Sequence, residues 1–443
     1  MSVAEYLDEV SRTIARQSER LPDWLQAERE QARNRFSASG FPNIRDEAWK
    51  YMAPLPLQKR SFFPVPTLMP ELPESAAGLL AHWCLPDAWV VVLLDGYFSP
   101  ALSRLQGLDA RIVLTGLQQA LADSPERVQS HWLAAQGADA SYRHGLFYFN
   151  AGLFTDGLFL EIPRAVVLDK PVQLLHLSTR ADGLATTHNL VTLGDGAGAQ
   201  LIETYVSIPG ITSMTSASTR LRLAQSARLE HFKIQAESEN AAHFAALHVD
   251  QARSSVLIQH NITLGGYWVR NDIASELKHG AECRLNGLFL GQNRQYIDNH
   301  TRIVHAEPHA VSQQAYRGVM MDRSRGVFQG RIVVAAHAQQ TVAAMNCRNL
   351  LLSPDAEIDA KPQLEILADD VRCSHGFSVG DLAPESLFYL VSRGIDTATA
   401  RNMLIFAFAH ERVEQIGLAS LRSRVQARLL DSFPHTDIRR DWL

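Results

Sequence analysis

Cys373 and His375 are the side chains of this 443-residue chain best spaced to do chemistry together, within Cys373-Ser374-His375-Gly376-Phe377-Ser378-Val379-Gly380. On a strand, residues two apart point to the same face, so a thiolate and an imidazole there reach one metal or sulfide. Both are good iron ligands. Two ligands are not four, so a cluster at this point needs donors from a partner. The competing reading is an inert packed cysteine beside a turn histidine. The four cysteines, Cys84, Cys283, Cys347 and Cys373, lie far apart with no C-x-x-C. That spacing argues against a disulfide framework and against a self-contained structural zinc site.

Other motifs are weaker. Gly376-Phe377-Ser378-Val379-Gly380 matches the G-x-S-x-G nucleophile elbow, but Asp381-Leu382-Ala383-Pro384 delays the helix that must follow at once, so a glycine-rich turn is expected. Gly194-Asp195-Gly196-Ala197-Gly198 has the look of a dinucleotide loop. It leads into a strand-like run and not a helix N-terminus, and reads as a turn. The phosphate-loop pattern G-x-x-x-x-G-K-[ST] does not occur, so ATP hydrolysis is not expected of this chain. His300, His305 and His309 have ligand-like spacing, but Pro308 prevents a helix from presenting the last two together. They are expected as surface or turn histidines. His243 and His248, five apart, fall on opposite faces of a strand.

The elements that must position Cys373 and His375 show in the periodicity. Residues 2–36 read as two helices broken at Leu21-Pro22-Asp23, the first with Val3, Leu7, Val10 and Ile14 on one face. Arg45-Asp46-Glu47-Ala48-Trp49-Lys50-Tyr51 mixes charge and aromatics, as a docking segment would. Pro54, Pro56, Pro64, Pro66, Pro70 and Pro73 then enforce an extended strap. A buried strand at 88–94 and a helix over 116–136 come next. From about residue 146 to 379, short apolar runs dominate, at 166–168, 174–177, 190–193, 201–206, 221–223, 229–234 and 256–264. Small residues precede them, and Ala199, Ala227, Ser254, Ala281 and Ala310 follow one another at steps of 28, 27, 27 and 29. Long helices do not intervene, which excludes α/β alternation. Asn-Gly and Asp-Gly hairpin turns are scarce. A mainly β coil of stacked rungs, a β-helix, fits better than the alternative β-sandwich.

After Gly380 the period becomes helical. Pro384 suits a helix start, Gly394 a helix end and Asp396 the cap of a second helix with Ala400, Met403, Leu404 and Ala407 on its apolar face. A last helix spans roughly 418–430, and the tail Arg439-Arg440-Asp441-Trp442-Leu443 is expected to be mobile. The chain thus divides into a helical region with a proline-rich linker (1–80), a β-helix core (81–380, with a less regular approach over 81–160 containing one helix) and a C-terminal helical region (381–443). The net charge of -5 and the lack of a basic run exclude nucleic acid and anionic membrane as main partners. The longest apolar runs, 88–94 and 403–409, are too short to span a bilayer. The acidic start lacks a signal core, and a cytoplasmic location is expected.

Taken in order, Arg45 to Tyr51, then Asp370-Val371-Arg372-Cys373-Ser374-His375-Gly376, Gly380, Leu387-Phe388-Tyr389-Leu390 and Ser392-Arg393-Gly394-Ile395 resemble the SufB/SufD family of the bacterial Suf iron–sulfur cluster assembly system. The length, the four scattered cysteines and a His two residues after Cys373 favour its SufD branch. The resemblance covers essentially the whole chain. It implies a right-handed parallel β-helix flanked by N-terminal and C-terminal α-helical regions. It implies SufB as a partner through the β-helix end, and two copies of the ABC-type ATPase SufC on the C-terminal helices. The chain would be a non-catalytic scaffold, with a transient iron–sulfur cluster shared with SufB and none on the isolated chain, which could pair with itself through the same end. His375 matches the family's metal-site contribution facing a SufB cysteine. Cys373 matches a family cysteine without a fixed role. The region implied for SufC docking is Leu387, Phe388, Tyr389, Leu390, Ser392, Arg393, Gly394 and Ile395, with Ala400, Met403, Leu404 and Ala407. The alternatives are a β-helical carbohydrate-active enzyme and a Ser hydrolase using the Gly376–Gly380 pentapeptide.

Overall fold

A computed structural model describes residues 3–15, 21–51, 60–65, 72–134 and 144–433. The tail at 439–443 and Pro54, Pro56, Pro66 and Pro70 of the strap lie outside the described residues. Two sheets face each other, each built over most of its width from every second strand. The ten-stranded sheet holds β1 (Trp89–Leu94), β2 (Tyr97–Phe98), β5 (Val172–Ser178), β7 (Gly198–Ser207), β9 (Arg228–Ala236), β11 (Val256–Thr263), β13 (Glu282–Gly291), β15 (Val311–Met320), β17 (Thr341–Leu351) and β19 (Val371–Gly380). The nine-stranded sheet holds β3 (Val113–Gly116), β4 (Leu158–Ile162), β6 (Leu184–Leu193), β8 (Met214–Leu223), β10 (Ala242–Gln251), β12 (Trp268–Leu277), β14 (Tyr296–His305), β16 (Arg325–Val334) and β18 (Glu357–Ile366). Pairing from β4 and β5 onward is parallel, giving a solenoid of about eight turns. The β-helix is therefore the correct reading, and the sandwich is not.

The small residues repeat because each rung turns a tight corner. Ser226, Ser254, His309 and Gln340 have φ between 57° and 64°, and Gly196 and Gly280 match them. The corners are cross-linked by backbone bonds such as Ser226 N to Arg253 O and Ser254 N to His279 O. The next residue, Ala197, Ala227, Ser255, Ala281 or Ala310, is at most 1% exposed, so only a small side chain fits there. The register is set by this ladder: Arg228 pairs with Gly198 and with Val256. Ala199 and Ser254, read from the sequence as repeat points, are therefore two and one residues off the true column.

Inside the coil, one half is aliphatic, with Leu201, Leu221, Leu229, Leu257 and Ile273 among its buried members. The other half is polar. Tyr205 donates to Glu203 at 2.5 Å, His231 sits 3.1 Å from the same carboxylate, and the Lys233 ammonium bonds Asn271 at 2.6 Å. Burial pushes Lys233 down to about 8.

Helices cover the outer faces. α3 (Glu74–Trp83), α8 (Thr397–Val413) and α9 (Ala419–Leu430) pack on the ten-stranded sheet, where Ile202, Phe232, Ile262 and Leu288 meet Ile405, Phe406, Val413 and Leu421. α1 (Val3–Ala15), α2 (Asp23–Ser39) and α6 (Gly145–Leu153) share a cluster with Leu184, Met214 and Ala242 at the starts of β6, β8 and β10. The segment around Trp49 does dock, and it docks on its own coil. Trp49 is 2% exposed, lies among Phe244, Trp268 and Tyr296, and stacks on the Arg270 guanidinium at 3.6 Å. Arg270 in turn is held by Asp272 and Asp298 at 2.9 and 2.8 Å and donates to the Ala48 carbonyl.

Several sequence expectations give way. The helix over 116–136 is two, α4 (Leu117–Asp123) and α5 (Pro125–Ala134), because Pro125 cannot continue a helix but can start one. α3 and α6 were not expected. The apolar run at 166–168 is reduced to one bridge, Val167 with Gly198. His300 and His305 are buried and not at the surface: His300 lies 2.9 Å from Asp298, and His305 points inward to Ser312 Oγ at 2.8 Å. His309 is in an exposed turn, as expected.

Burial holds His176, stacked on Tyr205, and His305 down to about 4. In the unfolded chain each titrates near its ordinary 6.5. Between those values the unfolded state binds more protons, so stability is complete above about 6.5 and is lost as pH falls towards 4. Each histidine accounts for on the order of 3 kcal/mol of that loss. Urea unfolding at pH 7 and pH 5 will show the difference, and His176→Gln or His305→Gln will reduce it; an unchanged pH dependence in both variants refutes the assignment.

Candidate functional site

β19 is the last strand of its sheet and β18 the last of the other. At the opposite end the coil is closed by antiparallel pairing of β2 on β1 and β3 on β4. Among the described residues nothing comparable covers the end formed by β18 and β19. Cys373, His375, Phe377 and Val379 lie in register over Ala343, Met345, Cys347 and Asn349, which are all 3% exposed or less. They therefore share the inner face, and a further rung would bury them as it buries the column beneath. Without one, His375 is exposed, and Phe377 and Val379 are 39% and 42% exposed. Across the lumen on β18, Ile358 and Leu364 also reach only partial burial.

The pentapeptide Gly376 to Gly380 is strand throughout. It is neither a nucleophile elbow nor the glycine-rich turn read from the sequence: its residues pair one for one with 346–350 of β17.

Cys373 and His375 thus supply a sulfur and a nitrogen donor to one open surface. No group of three or more His, Cys, Asp or Glu among the described residues is placed to hold an ion. Cys373 is half-buried, and burial raises its thiol above the ordinary value, opposed by the Ala343 backbone. Cys283 and Cys347, fully inside, are pushed up to about 12.

Just beyond β19, α7 (Pro384–Ser392) begins at a proline in its first turn and has no buried side chain. Phe388 and Tyr389 are 74% and 57% exposed, a costly display for large apolar groups on a surface. Leu387, Leu390 and Ile395 are half-buried; Ser392, Arg393 and Gly394 are exposed. Gly394, at φ 86°, ends the helix as expected, and the Asp396 carboxylate caps α8 by accepting from Thr399 N at 3.0 Å. On α8 the expected apolar face is displaced. Ala400 is fully buried, Met403 and Leu404 are half-buried, and Ala407 is exposed. The residues packed on the coil are Ile405, Phe406, Ala409 and Val413.

A cleft of about 350 Å3 separates β19 from these helices, with Arg348, Ser378, Asp381, Ser386, Leu404 and Phe408 in its walls. Strand and helices therefore share one boundary, and α8 is tied to the coil by the Arg317–Glu411 ion pair. Sequence reasoning missed a second contact at this end, the ion pair of Glu47 with Lys361 of β18. No local signal links residues so far apart.

Mass-spectrometric mapping after alkylation of the native chain at pH 8 will find Cys373 and the half-buried Cys84 modified, with Cys283 and Cys347 protected until the chain is unfolded. Equal labelling of all four would contradict the burial of the inner column.

Residues 176–408 match the family described as SUF system FeS cluster assembly, SufBD core domain, and residues 85–174 the SufBD protein N-terminal region. The chain is 30% identical over 403 residues to the iron–sulfur cluster assembly protein SufD of Escherichia coli, covering 89% of this chain and 90% of that protein. It is 28% identical to an iron–sulfur cluster assembly SufBD family protein of Synechocystis, covering 87% and 86%. A chloroplastic protein of Arabidopsis thaliana, ABCI7, is 28% identical over 61% of this chain and 59% of its own length. None of the helices described is long and apolar enough to cross a membrane. The chain belongs to the SufBD family of the SUF iron–sulfur cluster assembly system.

Proposed function

We propose that this chain is the SufD-type scaffold of a complex with SufB and two copies of SufC. It lends one half of an assembly site and does no bond chemistry of its own. The observation that carries this reading is the open coil end, which presents His375 and Cys373 on the face that a further rung would seal. Pairing β18 and β19 with the matching end of a homologous coil satisfies two rows of unpaired backbone groups. It also buries Phe377 and Val379 and turns the end into a protected seam. The iron and sulfide assembled there are cargo. On this chain the His375 imidazole offers a ring nitrogen, and Cys373 becomes a donor only on losing its proton, which its partial burial resists. The remaining donors come from the partner.

α7, with Phe388 and Tyr389 uncovered, is the surface offered to SufC. Closure of two ATPase subunits on ATP would move α7 and α8. The cleft lined by Ser378 and Asp381 lets that motion reach β19 without breaking the coil. A small movement at the helices then alters access to the seam.

Co-expression with SufB and SufC, anaerobic purification and an iron and sulfide assay test the site. His375→Ala will leave the three-protein complex intact and remove nearly all of its iron and sulfide; a normal load would refute the role. Phe388→Asp with Tyr389→Asp will release SufC on size exclusion while the two coils remain paired. Retention of SufC by that double variant would place its docking elsewhere.

A further inference from the structure

The ion pair between Glu47 and Lys361 joins the N-terminal segment to the last rung of the coil. Lys361 extends an outer column of the nine-stranded sheet, Asp272, His300, Gln329 and Lys361 in successive strands. Two residues along, Trp49 is buried over the middle of that sheet and clamped on Arg270. The intervening loop is therefore fixed at its root. Its tip is braced as well: Asn43 N donates to Asp46 Oδ2 at 3.1 Å, and Arg45 N to Asn43 Oδ1 at 2.9 Å. On this rigid tip Ile44 is 65% exposed, and Arg45 has no ion-pair partner among the described residues. A preorganised loop that displays a large aliphatic group and a free guanidinium beside an unpaired sheet edge is built for contact.

A strand added to β18 would lie about 4.8 Å beyond it. Its outward residue in the Lys361 column would then come within side-chain reach of residues 44–47. We propose that the loop tip 43–47 is a clamp that reaches across the open end and grips the outer face of the coil paired to it. The partner surface this chemistry fits is an apolar patch with a carboxylate for Arg45, on the strand that continues the nine-stranded sheet. This rests on coil-end pairing with a second, homologous coil, and adds a second contact outside the seam.

The test uses the full complex with a photo-crosslinking benzophenone amino acid in place of Ile44, and a control with the same group in place of Val167, which is 71% exposed and lies near the closed end. Light scattering measures pairing independently. Illumination is expected to give a covalent adduct between position 44 and the partner coil, and none from position 167. In parallel, Ile44→Asp should weaken pairing about tenfold, and Ile44→Val should not. Intact pairing without an adduct from position 44, or an adduct only with the ATPase, overturns the clamp and leaves the seam standing. Absence of pairing in the unsubstituted complex overturns the seam itself, and the clamp with it.

Discussion

The structure depends on a parallel backbone ladder that stops. Each strand from β6 to β17 is satisfied by the strand two before it and the strand two after it, and the side chains stack in columns as a result. β18 and β19 have a neighbour on one side only. The half-burial of Cys373, the exposure of His375 and the uncovered Phe377 and Val379 all follow from that one fact. The edge is also moderated. β18 carries Lys361 and Pro362 in mid-strand, both of which discourage indiscriminate strand addition. The end is thus open yet selective.

The second constraint is the treatment of charge on the outer face. Arg270, Asp272 and Asp298 are each 1% exposed. Taking such groups out of water is expensive unless each is paired and bonded. Arg270 meets this by binding two carboxylates, a carbonyl and an indole face. Removing any one of these would leave a buried charge short of a partner. Such a network contributes placement more than net stability: it fixes the N-terminal segment at one position along the coil.

The coil could be read from the sequence because the buried position after each corner demands a small residue, and these recur at a nearly constant step. The register could not be read to the residue, because small residues occupy both several left-handed corners, such as Gly196, Ser226 and Ser254, and the buried position after them. α6 was missed because Leu146, Phe147, Phe149 and Leu153 are buried on all sides; an apolar run of that length also describes a buried strand. α8 has apolar residues on two faces, so periodicity did not show that Ile405, Phe406 and Ala409 face inward and Ala407 outward. The inner-face pairing of Cys373 and His375 was visible from their spacing, and the end of the coil from the change of period after Gly380. The contact of Glu47 with Lys361 was not, since only the folded coil brings residues 314 apart together.

The Arg270 network has a consequence for how the chain is made. The Ala48 carbonyl is bonded to a guanidinium 222 residues later in the chain. During synthesis at roughly 5–20 residues per second, Trp49 leaves the ribosome some 10–45 s before the strands that will bury it. The N-terminal segment must therefore wait, with its indole exposed, until β12 and β14 have been translated and stacked. This part of the chain is made early, yet it can take its place only after β12 and β14 exist.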